Sequence, residues 1–117
     1  MSNHRASIST HVLDTERGEP AAGVPVTLSR WEGERLVKVT EVETDDDGRI
    51  RDLLSGQALA AGGYQIVFDV AAYFRELDGD MPFFTRVAID FEVIEEDRHH
   101  HVPLLASRFS CSSYRGS

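Results

Sequence analysis

Cysteine is almost absent from this chain. Cys111 is the only one among 117 residues, so no disulfide can form within the chain. A reducing compartment is the simpler expectation, and the cytoplasm is the expected location. Long apolar runs are missing as well. No stretch approaches the roughly 18 residues that a membrane-spanning helix needs, so no membrane partner is expected. Met1 to Thr10 holds His4 and Arg5 but no apolar core of a secretory signal. The closing Tyr114-Arg115-Gly116-Ser117 is not a peroxisomal Ser-Lys-Leu address. Positive charge is scarce: 12 Lys and Arg stand against 20 Asp and Glu, a net charge of −8. Such a chain lacks the general basic face that nucleic-acid phosphates require, and its acidity serves solubility. An anionic ligand would need a local basic pocket set against that field. Internal repeats and low-complexity linkers are absent too, which leaves a single domain long enough to bury a core unaided. Residues 1–5 are expected to form a flexible N-terminal tail and 6–117 the domain.

What is present is a series of short alternating segments broken by turn formers. Ile8, Thr10 and Val12 alternate with Ser9, His11 and Leu13. A loop with Gly18, Pro20 and Gly23 is expected over residues 14–23. Val24, Val26 and Leu28 form a second strand, in which Pro25 should sit at an edge or a bulge, since it donates no ladder bond. A third strand runs through Leu36, Val37, Val39 and Val42, and Asp47-Gly48 makes a tight turn with positive φ. A short strand from Arg49 to Leu53 is expected next. Tyr64, Ile66, Phe68 and Val70 should face the core. About two helical turns follow, closed by Asp78-Gly79. Val87, Ile89, Phe91 and Val93 alternate again, and the last two strands are expected at residues 99–105 and 109–114. The fold class is all-β, a two-sheet sandwich of about eight strands with one short helix.

The residues able to carry chemistry fall in a few places. His11 lies on the first strand, on the side away from Thr10 and Val12. Arg49 follows the Asp47-Gly48 turn. In His99-His100-His101, an extended backbone puts His99 and His101 on one face and His100 on the other. The fourth place is the segment Tyr114-Arg115-Gly116-Ser117. Read singly, each has a plain explanation: a structural histidine, a solvated arginine, a polar surface triplet, a frayed end. Imidazoles two apart on a strand can converge on a metal, yet no cysteine and no third ligand besides His11 stands near, so no metal site is expected.

Together these segments resemble the 5-hydroxyisourate hydrolases, also called transthyretin-related proteins. The likeness rests on Ser9-Thr10-His11-Val12-Leu13-Asp14, Asp47-Gly48-Arg49, His101-Val102-Pro103-Leu104-Leu105 and Tyr114-Arg115-Gly116-Ser117. The last tetrapeptide is the most specific, because it separates the hydrolases from the transthyretin hormone carriers. The resemblance implies a transthyretin-like sandwich. It also implies a homotetramer with active sites at the dimer–dimer interface, and conversion of 5-hydroxyisourate to 2-oxo-4-hydroxy-4-carboxy-5-ureidoimidazoline in urate breakdown. Carried over residue by residue, it makes His11, Arg49, His101 and Ser117 catalytic, and Tyr114, Arg115 and Gly116 substrate-binding, with no cofactor. His99 matches a position that is commonly histidine without belonging to the usual catalytic set. The chain departs from the family pattern at residues 106–113 and at His100, where an aromatic is common.

Those residue types suit the reaction. Opening the ring at its N1–C6 bond needs an activated water, a stabilised oxyanion and a proton for the leaving nitrogen. Histidine exchanges protons near neutrality, and a permanently charged guanidinium suits polarised carbonyl oxygens. Ser117 offers a hydroxyl and, as the last residue, a carboxylate. A Ser–His nucleophile ranks below direct water attack, since no Asp or Glu is evidently placed to orient either histidine. The alternatives are a small-ligand carrier on the same fold, which gives the histidines no task, and a metal-binding protein using His99, His101 and His11.

Overall fold

β1 (Ile8–Asp14) buries Ile8, Thr10 and Val12, and turns Ser9 and His11 to its other face. A period of two makes that division unavoidable once one face of the strand meets the core. The structure, a computed structural model, describes residues 6–117, so the tail expected at 1–5 lies outside the described residues. β1 is central to a six-stranded sheet. On one side it pairs antiparallel with β2 (Glu19–Pro20), at Leu13 and Asp14, and with β5 (Arg49–Ile50), at Thr10 and His11. On the other it runs parallel to β8 (His100–His101), beside Ile8 and Ser9, and to β9 (Leu104–Ala106), with β10 (Cys111–Ser113) beyond.

The facing sheet is antiparallel throughout, in the order β4 (Arg35–Glu43), β3 (Pro25–Glu32), β6 (Gly62–Phe68) and β7 (Val87–Val93). Between β6 and β7 the chain forms α1 (Val70–Asp78). The Asp69 side chain accepts the Ala72 N–H at 3.0 Å and starts the helix. Gly79, at φ 84°, ends it by donating its N–H to the Arg75 carbonyl at 2.7 Å. Ile8, Val12 and Leu104 from one sheet, Val26, Leu28, Ile66 and Phe68 from the other, and Phe74 from α1 are all 0% exposed. Each such side chain contributes roughly 1.5–3 kcal/mol by leaving water.

The two sheets and the single helix match the expected class, but the described residues contain ten strands. Two of the extra breaks have clear causes. Pro103 has no N–H to give the ladder, so the strand expected over 99–105 splits into β8 and β9. The strand expected from Arg49 to Leu53 stops at Ile50, because the Asp52 carboxylate accepts the Leu54 and Gly56 N–H groups and curls the backbone into a turn. The last strand begins only at Cys111, after a turn closed by the Ser107 N–H on the Ser110 carbonyl. The loop expected over 14–23 gains the short β2. Pro25 lies on neither an edge nor a bulge: β3 is paired on both sides, and Pro25 is tolerated as its first residue. The irregularity in that strand falls instead between Leu28 and Ser29.

Candidate active site

The register of β1 assembles the site. Neighbours directly across a ladder project to the same face of a sheet. Ser9 is paired with His101 and His11 with Arg49. One outer face therefore collects Ser9 and His11 from β1, Arg49 from β5, and His101 from β8, with His99 two residues before it. His100 faces the other way and is buried.

The Asp45–Arg49 turn sets the position of both His11 and Arg49. The Asp45 carboxylate accepts the N–H groups of Asp47 and Arg49, each at 2.9 Å, and Gly48 donates to the Asp45 carbonyl. Those donors, led by the Arg49 N–H, hold the Asp45 carboxyl below its usual range, with the Arg51 guanidinium adding to the effect. Gly48, at φ 74°, donates nothing to the site itself. Its carbonyl accepts the Val12 N–H at 2.7 Å and ties the turn to β1. The exposed Asp47 carbonyl lies 2.9 Å from His11 Nε2. A carbonyl only accepts, so His11 Nε2 carries hydrogen and its Nδ1 keeps the lone pair when the ring is neutral. Arg49 forms no ion pair among the described residues, which leaves its charge uncompensated.

His101 is held from two directions. Its Nδ1 lies 2.7 Å from Ser9 Oγ, and the same hydroxyl lies 2.7 Å from His99 Nε2. From the other side the tail docks: Gly116 donates its N–H to the His101 carbonyl at 2.8 Å and forms a bridge with it. The approach is so close that a Cβ on Gly116 would strike the His101 ring, so only glycine fits. Burial is the largest cause drawing the His101 pKa below its ordinary value, and the nearby His11 and His99 rings and the Arg49 guanidinium act in the same direction. That shift favours the neutral ring near pH 7.

A hollow of about 380 Å³ is bounded by Arg49, Arg51, His99, His101, Ser9 and Ser117 among others. This is the local basic pocket that the acidic chain otherwise lacks. His11 sits beside Arg49 but does not line this hollow. Tyr114 and Arg115 line a second hollow of about 270 Å³, with His100, His101, Ile89 and Phe91. Gly116 lies between the two, at the edge of His101. No group of three or more His, Cys, Asp or Glu side chains among the described residues could hold a metal ion. Sequence reasoning passed over Ser9 as a functional residue and left His99 unassigned. The available signal was the period of two, since each stands two positions before a singled-out histidine.

The depressed histidines have a consequence for stability. The His100 pKa is also lowered, mainly by burial. Between those lowered values and about 6.5, the unfolded chain binds protons that the folded chain refuses, so stability rises with pH through that window and falls as pH drops through it. The urea midpoint is expected to fall between about pH 7.5 and pH 5.5, before carboxylates titrate. A flat midpoint across that range would contradict the lowered pKa of both rings.

A model of the HIUase/Transthyretin family matches residues 8–116. The 5-hydroxyisourate hydrolase of Caulobacter vibrioides is 45% identical over 115 residues, which span 96% of this chain and 99% of that protein. The protein of the same name from Deinococcus radiodurans is 44% identical over 120 residues, and both chains are covered completely. Among solved structures, the 5-hydroxyisourate hydrolase of Klebsiella pneumoniae superimposes with a TM-score of 0.83 at 39% identity, over 96% of this chain and 99% of that one. Sea bream transthyretin in complex with thyroxine superimposes with a TM-score of 0.87 at 28% identity, over 95% of each chain.

Proposed function

Because the chain belongs to the HIUase/Transthyretin family, we infer that it hydrolyses 5-hydroxyisourate, opening the ring of that product of urate oxidation. The observation that carries this reading is the meeting of His11, Arg49 and His101 on the outer face around β1, from segments far apart in the chain. The hydrolases match it at 45% and 44% identity, against 28% for the transthyretin carrier, so the carrier reading has the weaker support.

The donor and acceptor directions suggest how the work is divided. His11 offers a lone pair at Nδ1 because its Nε2 is committed to the Asp47 carbonyl. In our reading that nitrogen takes a proton from water as the water oxygen bonds to the ring carbonyl carbon. The C=O electron pair moves onto oxygen, and the Arg49 guanidinium stabilises the oxyanion, joined by a donated hydrogen bond from His101. When the tetrahedral centre collapses, the C=O re-forms and the C–N bond breaks. His11 then returns its proton to the departing nitrogen, which restores the neutral base. Ser117, at the rim of the hollow, is assigned to contact the reacting groups, and Tyr114, Arg115 and Gly116 to shape the substrate pocket. No cofactor enters this scheme.

The assembly in this proposal is a homotetramer with its sites between dimers. What supports it is the position of the site on an outer sheet face, where His99 and Ser117 are exposed. A second copy packed over that face would exclude water from the oxyanion. A cytoplasmic location belongs to the same proposal and rests on the lone cysteine.

The direct test is to generate 5-hydroxyisourate with urate oxidase and follow its ultraviolet decay with and without this protein. Faster decay is expected. Arg49→Ala and His101→Ala should each lower kcat by about 10²–10³-fold, the usual cost of losing one oxyanion donor, while both variants keep the native melting temperature within a few degrees. Decay at the uncatalysed rate with the native protein would end the functional reading.

A further inference from the structure

We propose that Ser9 and His99 are positioning residues for this hydrolysis, which lock the His101 imidazole in the tautomer with its proton on Nε2. The argument follows one chain of hydrogen bonds from a donor whose identity is certain. The Ser7 backbone N–H can only donate, and it points at His99 Nδ1 at 3.2 Å. His99 Nδ1 is therefore an acceptor and carries no hydrogen. The proton of a neutral His99 must sit on Nε2, which lies 2.7 Å from Ser9 Oγ, so His99 donates to that hydroxyl. The Ser9 hydroxyl has one hydrogen of its own. With His99 already donating to its oxygen, that hydrogen is directed to the remaining partner, His101 Nδ1, at 2.7 Å. His101 Nδ1 is thus an acceptor, and its Nε2 carries the hydrogen.

The consequence is functional. A His101 fixed this way has no lone pair to offer from Nε2, so it serves as a hydrogen-bond donor while His11 serves as the base. Left to itself, a neutral histidine favours hydrogen on Nε2 only modestly and still populates the other tautomer, which would present a lone pair where the oxyanion forms. His99 is exposed and could be any polar residue as far as packing is concerned. Its placement two positions before His101, the partner of Ser9, with both ring nitrogens engaged, is what gives it this task. The inference deepens the hydrolase reading and rests on His101 facing the reacting ring.

The test joins a spectroscopic readout with kinetics. Nitrogen–proton correlation spectra of the native protein, labelled at histidine and recorded near neutral pH, are expected to show His101 and His99 each protonated at Nε2. In Ser9→Ala the His101 ring should become a mixture of tautomers. The same is expected in His99→Phe, which removes both ring nitrogens from an exposed position outside the apolar core, along with the acceptor of the Ser7 N–H. Both variants should lose about 10- to 100-fold in kcat, as when partners that orient metal-bound imidazoles are removed, with KM changed little. Ser9→Thr, which keeps a hydroxyl on a strand-compatible side chain, should restore both the rate and the single tautomer. Hydrogen on His101 Nδ1 in the native protein would overturn the proposal whatever the activity. So would a tautomer and a kcat unmoved by His99→Phe. Full activity in His101→Ala, with the Nε2 tautomer present in the native protein, would instead defeat the catalytic reading of His101, and with it the functional part of this inference.

Discussion

His11→Gln is expected to lower kcat for 5-hydroxyisourate by about 10²–10⁴-fold, the range for losing a general base, with little change in melting temperature. Glutamine is chosen because its amide nitrogen can still donate to the Asp47 carbonyl, the bond that His11 Nε2 makes at 2.9 Å. The turn and the pairing of His11 with Arg49 across β1 and β5 should therefore survive. What glutamine lacks is a basic nitrogen at the place of Nδ1. The variant separates loss of proton transfer from loss of structure, which alanine would not do. His11 is only half-buried, so the polar exchange strands no buried group. Turnover within a few-fold of the native rate would remove His11 as the base and reopen His101 for that role.

Gly48→Ala should be the most damaging small substitution. At φ 74° the position lies in the left-handed region, where an L side chain costs about 1–2 kcal/mol. A Cβ there would also lie 2.5 Å from the Val12 carbonyl oxygen and 3.1 Å from the Ala21 nitrogen, and both are backbone atoms that cannot swing aside. Such overpacking adds roughly 1–3 kcal/mol. The combined loss of about 2–5 kcal/mol corresponds to a melting temperature lower by roughly 10–25 °C. The same contact holds the site together, because the Val12 N–H donates to the Gly48 carbonyl and the turn presents both Arg49 and the Asp47 carbonyl. Activity at low temperature should therefore fall as well. A thermal scan within about 3 °C of the native protein would show that the turn relaxes without cost.

Much of the fold was legible because a strand has a period of two. The alternation of Ile8 and Val12 with Ser9 and His11, and of Ile66 and Phe68 with Gln65 and Val67, assigns core faces without knowledge of partners. The Asp47-Gly48 turn and the helix end at Gly79 follow from local steric rules in the same way. Strand ends were less legible. Where β8 stops depends on Pro103, which is visible in the sequence, but the end of β5 depends on which N–H groups the Asp52 carboxylate captures. That Pro25 opens a strand paired on both sides could not be read at all, since such pairing is a long-range fact.

The sequence by itself determined the kinds of chemistry available: imidazoles on alternating segments, a guanidinium beyond a glycine turn, and the segment Tyr114-Arg115-Gly116-Ser117. It also determined that His99 and His101 point together and His100 apart, since that needs only an extended backbone. Tertiary structure alone decided what those groups can do. Ser9 and His101 are 92 positions apart, and His11 and Asp47 are 36 apart, yet each pair is within hydrogen-bond distance. The preference of a free neutral histidine for hydrogen on Nε2 is small beside a hydrogen bond, so its direction of donation is set by whichever donor or acceptor the fold brings beside it.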